Sequence, residues 1–111
     1  MVSQHLSPHT MSIFETADDI FIRQISLPSA NVMYPQHVHS WDHTTVLVKG
    51  SIVLWRGERP AEYFKAPALV FIERNIEHRF QTLEADCLIL CVHNLRAADG
   101  ALRDFAALDD A

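Results

Sequence analysis

The chain has 111 residues, 49% of them apolar and 21% charged, with a net charge of −5 at pH 7. This is the composition of an ordinary globular domain and excludes disorder and low complexity. An acidic balance with no basic run lacks the electrostatic footprint of phosphate-backbone binding, and the longest apolar stretches, 66–72 and 87–92, fall far short of the ~20 residues of a membrane-spanning helix, so nucleic acid and membrane are set aside.

Residues 1–12, MVSQHLSPHTMS, carry neither a positive start nor an apolar run. They do not resemble a secretory signal, a cytoplasmic setting is expected, and the segment reads as a flexible arm or an edge strand. From Ile20 to His93 the chain breaks into strand-length runs of β-branched and aromatic residues: IFIRQISL, TTVLV, SIVLW, EYF, ALVFI, RFQTL and CLILCV. Turn chemistry separates them at Pro28-Ser29, Lys49-Gly50, Gly57-Glu58-Arg59-Pro60, Ala66-Pro67, Arg74-Asn75 and Glu84-Ala85-Asp86, the spacing of an all-β sandwich or barrel. Cys87 and Cys91 share one of these runs. Four residues at ~3.3 Å each hold their Cα atoms ~13 Å apart, so both are free thiols. Residues 97–108 carry helix formers with Leu102, Phe105 and Leu108 on one stripe, which allows a short C-terminal helix. No repeat or linker divides the chain: 1–12 is the arm, 13–95 the domain and 96–111 the tail.

Seven histidines are present, three of them in His37-Val38-His39-Ser40-Trp41-Asp42-His43 and another at His78. On a strand, residues i and i+2 face the same way, so His37 and His39 can present both imidazoles to one point. A straight strand would carry His43 ~20 Å from His37, whereas metal ligands bond at ~2.1 Å, so the chain must turn at Ser40-Trp41-Asp42. A helix pairing His39 with His43 is disfavoured by the β-prone Thr44-Thr45-Val46-Leu47-Val48 that follows. His5, His9 and His93 are left as non-ligands.

With six residues and then Gly50 after its last histidine, this HxHxxxH segment resembles the first cupin motif, and Ile72-Glu73-Arg74-Asn75-Ile76-Glu77-His78-Arg79-Phe80 resembles the second. His43 stands where the family usually has Glu, Pro67 and Ala68 where the second motif has Gly-Asp, and Glu73 and Asn75 replace its Pro and Gly. These departures resemble a subgroup of small single-domain cupins with four histidines, some of them manganese proteins. The resemblance implies a small antiparallel jelly-roll β-barrel over 13–95 and one divalent metal per chain on His37, His39, His43 and His78.

Four neutral imidazoles leave a divalent ion its full charge, and they suit Zn, Cu, Fe and Ni, with Mn less favoured on softness alone. A tetrahedral zinc would be closed and structural, whereas a six-coordinate ion keeps two positions for substrate or O₂. Asp42, Glu73 and Glu77 are expected to accept hydrogen bonds from the outward ring N–H groups. Tyr34, Trp41, Trp55, Phe71, Phe80 and Cys91 are expected to line a pocket above the metal, with Trp41 as a lid. Proton-transfer candidates are limited to Tyr34, Glu73 and Glu77. A metal-dependent oxidoreductase of dioxygenase type, acting on a small organic substrate, is therefore the leading reading. A non-catalytic small-ligand or sugar-binding module and a metal-dependent isomerase or lyase stand beside it. A homodimer is expected, because Ile13, Phe14, Ile20, Phe21 and Ile22 can lend an edge strand to a partner.

Overall fold

The computed structural model of the protein describes residues 10–15, 19–94, 96 and 99–101, with the side chains of 10–15 and 35–37 outside that description. The helix expected within 97–108 and most of the N-terminal arm lie outside the described residues. Within them, the chain forms β1 (Thr10–Glu15), β2 (Ile20–Leu27), β3 (Met33–His37), β4 (His43–Lys49) and β5 (Ser51–Arg56). β6 (Glu62–Lys65), β7 (Ala68–Ile72), β8 (His78–Thr82) and β9 (Cys87–Asn94) complete it.

All pairings are antiparallel, in a five-stranded sheet of order β1-β2-β9-β4-β7 and a four-stranded sheet of order β3-β8-β5-β6. The expected all-β jelly roll is present as two sheets that hydrogen bonding leaves unclosed. Strand residues alternate between faces, and β2 shows it plainly, with Phe21, Arg23, Ile25 and Leu27 buried and the residues between them half-buried. The core joins both sheets: Ile25, Leu47, Val70, Ile72 and Ile89 from one meet Tyr34, Ile52, Leu54 and Phe80 from the other.

Register turns this alternation into layers across the five-stranded sheet. Phe21 pairs with His93 in one row; Arg23, Cys91, Thr45 and Val70 pair successively in the next; Ile25, Ile89, Leu47 and Ala68 form the third. Burying each large aliphatic side chain in the third row contributes about 1.5–3 kcal/mol. Chemistry-bearing side chains are thus confined to the first two rows, at one end of an otherwise apolar interior.

Gly50 carries the chain from the first sheet into the second between β4 and β5. Its φ of +94° lies in the region that L side chains avoid, and a Cβ there would meet Cys87 Sγ and stand 3.0 Å from Cys87 Cα. Gly50→Ala is therefore expected to lower the unfolding free energy by about 2–4 kcal/mol through backbone strain and overpacking. Thermal denaturation checks this: a melting temperature within a degree of wild type contradicts it.

Candidate metal centre

His39, His43 and His78 come from three different segments of the chain. β3 ends at His37, so His39 lies on the connecting loop and not on the strand expected to pair it with His37. The chain bends at Ser40 and Trp41, as the convergence argument required, and β4 starts with His43. His78 opens β8. All three are buried, their ring centroids lie 5.0–5.3 Å apart, and one ligand nitrogen from each falls within 4.8 Å of the other two. Bringing three such nitrogens to ~2.1 Å from one ion takes side-chain shifts of less than about an ångström, so the residues fit a metal. The side chain of His37 lies outside the described residues, but its backbone pairs directly with His78 across β3 and β8, past a bulge.

Two loops are fastened together to hold this geometry. Asp42 accepts hydrogen bonds from the Arg74 backbone N–H (2.8 Å) and guanidinium (3.1 Å), and Asn75 N–H donates to the His39 carbonyl at 2.7 Å. The Arg74 hydrogen bonds hold the Asp42 carboxyl below its ordinary range. Asn75 takes a φ of +61°, a left-handed conformation that its short polar side chain tolerates. Asp42 thus ties the two ligand loops together, in place of the ring-acceptor role expected of it. Glu73 pairs with Arg59 at 3.9 Å, and Glu77 contributes its carbonyl to Gly57 N–H at 2.8 Å. The acceptor for His78 is the Ile76 carbonyl, 3.0 Å from Nδ1, so Nε2 is the ring nitrogen that would face an ion.

Trp41 is buried and stacks on His39 with centroids 5.0 Å apart, while His93 packs against Trp41 at 5.2 Å and stacks on Phe21 at 4.7 Å. Instead of closing over the site as a lid, Trp41 backs a ligand ring from within. A cavity of about 20 Å³ opens beside His43 and His78, with Tyr34, Thr45, Phe80 and Cys91 in its wall and Ile52, Leu54, Val70 and Ile72 around it. That volume admits little more than one water-sized occupant. A second hollow of about 10 Å³ shares His43 and Cys91 with it and is closed by Phe21, Arg23, His39, Trp41 and His93.

Trp55 and Phe71 do not join these walls. On β5, Ile52 and Leu54 point inward and Trp55 turns away to meet Arg79, whose guanidinium sits 4.6 Å from its ring centre. On β7, Val70 and Ile72 point inward and Phe71 is 53% exposed. In both cases the period of two assigns the face, and aromatic character does not.

Arg23 is the buried charged residue near this site that sequence reasoning passed over. It is fully buried and stands among Phe21, Ile25 and Leu27 on the inward face of β2. A charged residue in the inward register of an apolar strand was the available signal. Its guanidinium lies 5.8 Å from the Phe21 ring centre and donates a hydrogen bond to Tyr34. Burial pushes the Tyr34 hydroxyl up, and it pushes the Cys91 thiol up to about 11, against opposing pulls from Arg23 and a Thr45 hydrogen bond. Cys91 lies in the wall of both hollows.

With this geometry, the chain has the cupin fold. No protein-family model and no curated protein sequence matches it. Among solved structures, it resembles an RmlC-like cupin family protein with a double-stranded β-helix fold from Methanocaldococcus jannaschii (20% identity, TM-score 0.63), covering 77% of this chain and 80% of that one. KdgF from Halomonas sp. is 15% identical, with a TM-score of 0.70 and 82% of each chain covered. The DMSP lyase DddQ from Ruegeria pomeroyi is 14% identical at a TM-score of 0.70, over 80% of this chain and 48% of that one.

Burial lowers the pKa of His78, with the Ile76 carbonyl pulling the other way. A histidine whose folded pKa is depressed contributes stability that is present above its unfolded pKa of ~6.5 and is lost as pH falls toward the folded value. Metal-free protein is accordingly expected to lose unfolding free energy between about pH 7 and pH 5, measured by chemical denaturation, and His78→Gln to flatten that dependence. Asp42→Ala is expected to weaken metal retention, though less than loss of a histidine does; chelator competition measures it.

Proposed function

We propose that the protein is a cytoplasmic metal-dependent oxidoreductase of dioxygenase type that acts on a small organic substrate, with His37 completing the ligand set of His39, His43 and His78. The observation that carries this reading is the convergence of three buried imidazoles, two of which, His43 and His78, line an apolar cavity with no carboxylate among its described wall residues. Chemistry there has no acidic side chain to serve as general base, which favours a reaction centred on the ion. The paired register of His37 and His78 supports the fourth ligand. A bound divalent ion would supply Lewis acidity and, if redox-active, a means of activating O₂ as the oxidant.

The protein's own side chains supply the surroundings. Ile52, Leu54, Val70 and Phe80 exclude water from the cavity, and Phe80 stacks face to face on Tyr34 at 4.9 Å, fixing the phenol's position. Tyr34 holds its proton at Oη and is placed to donate it. That hydroxyl is the specific observation in favour of a second reading, a lyase or isomerase in which Tyr34 protonates a substrate polarised by the ion. We also propose a homodimer: Leu69 and Phe71, 73% and 53% exposed on β7 at the edge of its sheet, give a partner copy an apolar surface.

Elemental analysis of protein purified without added ions is expected to find close to one transition metal ion per chain, and His39→Ala, His43→Ala and His78→Ala each to weaken its binding about 100-fold or more, beyond what outer hydrogen-bond partners contribute. O₂ uptake with small phenolic or alkenyl compounds, by protein reloaded with Fe or Mn, tests the oxidative step. Turnover without O₂ consumption, abolished by Tyr34→Phe, selects the lyase or isomerase instead.

A further inference from the structure

The cavity beside His43 and His78 has a wall of two kinds. Ile52 and Leu54 of β5, Val70 and Ile72 of β7 and Phe80 of β8 supply its apolar part, and all five are buried. Tyr34, Thr45 and Cys91 supply the polar part, and each is already engaged within the protein. Tyr34 takes a hydrogen bond from Arg23, and Thr45 forms one with Cys91. Side-chain stiffness keeps the space from closing: Ile52, Val70 and Ile72 are β-branched and restricted at χ1, and Phe80 is held in a face-to-face stack on Tyr34 at 4.9 Å.

Size and polarity together decide what such a space can hold. At about 20 Å³ it takes one water-sized occupant, so an organic molecule of several heavy atoms stays outside. A water would fit by volume. Buried water, however, needs roughly two to four hydrogen-bond partners, whereas these polar groups direct their bonds to protein neighbours and a bound ion would take one ring nitrogen from each histidine. An apolar diatomic molecule asks for no hydrogen bond. It leaves water readily and gains dispersion contacts with apolar side chains from both sheets. The neighbouring hollow differs on both counts, being about 10 Å³ with Arg23, His39 and His93 in its wall.

We propose that Ile52, Leu54, Val70, Ile72 and Phe80 enclose a holding site for molecular oxygen, which keeps a single O₂ in the protein wall beside His43 and His78. Its use as a store of oxidant rests on the oxidoreductase reading above. Occupancy by O₂ does not, because the wall belongs to the protein's own side chains.

Methyl NMR of the zinc-loaded full chain under nitrogen and under oxygen pressure tests the site without any variant, since paramagnetic O₂ speeds the relaxation of nuclei it touches. The Ile52, Val70 and Ile72 methyls are expected to show about threefold or more the enhancement of Ile25 and Leu27, which are fully buried outside the cavity wall, because close packing leaves O₂ no space there. Val70→Ile, which adds one methylene to the wall, is expected to remove most of the excess; near-ultraviolet circular dichroism verifies that the variant is folded. Equal enhancement in the two sets of methyls overturns the site. So does a long-lived water giving nuclear Overhauser peaks to the cavity methyls, or an excess that survives in folded Val70→Ile. A chain that takes up no zinc defeats the metal reading separately, and the same comparison on metal-free protein then decides the oxygen site by the same outcomes. Excess relaxation in a protein whose turnover consumes no O₂ upholds the site and defeats the oxidative reading alone.

Discussion

Removing four imidazoles and a guanidinium from water is the constraint on which this structure turns. Each is tolerable only with hydrogen-bond, aromatic or metal partners, because an uncompensated buried polar group is costly and a buried charge more so. The protein meets the requirement by concentration. His39, His43, His78 and His93 share one end of the intersheet space with Arg23, Thr45 and Tyr34, while the next row of the five-stranded sheet is Ile25, Ile89, Leu47 and Ala68. The polar end carries the chemistry and the apolar end holds the sheets together.

The ligands themselves are positioned by unequal means. His43 and His78 are the first residues of strands, so sheet hydrogen bonding fixes their backbones. His39 lies on a loop and needs external support, which comes from the Asn75 N–H on its carbonyl, the Asp42–Arg74 pair two loops apart, and the face of Trp41. The Asp42–Arg74 pair is solvent-exposed and adds little stability by itself. Its effect lies in setting the distance between the segment that ends in His43 and the segment that leads to His78.

Much of the fold was legible because β structure writes a period of two into the sequence. The runs IFIRQISL, SIVLW, ALVFI and CLILCV each became a strand, and the turn residues between them became turns. The histidine cluster was legible for a different reason: imidazoles two and four positions apart around a Ser-Trp-Asp turn have few structural uses other than convergence. Applied consistently, the same alternation would have turned Trp55 and Phe71 outward and drawn attention to Arg23. Those three were misjudged by side-chain type where strand parity was the better guide.

Residue type and spacing were enough, by themselves, to determine the all-β class, the positions of seven of the nine described strands and three histidines able to hold a metal, because these depend on local geometry within a few residues. Only the tertiary structure decided that Asp42 clamps Arg74, that Trp41 backs His39 from inside, and that Arg23 lies one row below the imidazoles beside Tyr34. Asp42 and Arg74 stand 32 positions apart and Arg23 and Tyr34 come from different sheets, and no local pattern encodes the register of β2 on β9 or the approach of one sheet to the other. Those are settled by burying the apolar rows against each other, and the polar row of Arg23, Cys91 and Thr45 takes its place as a consequence.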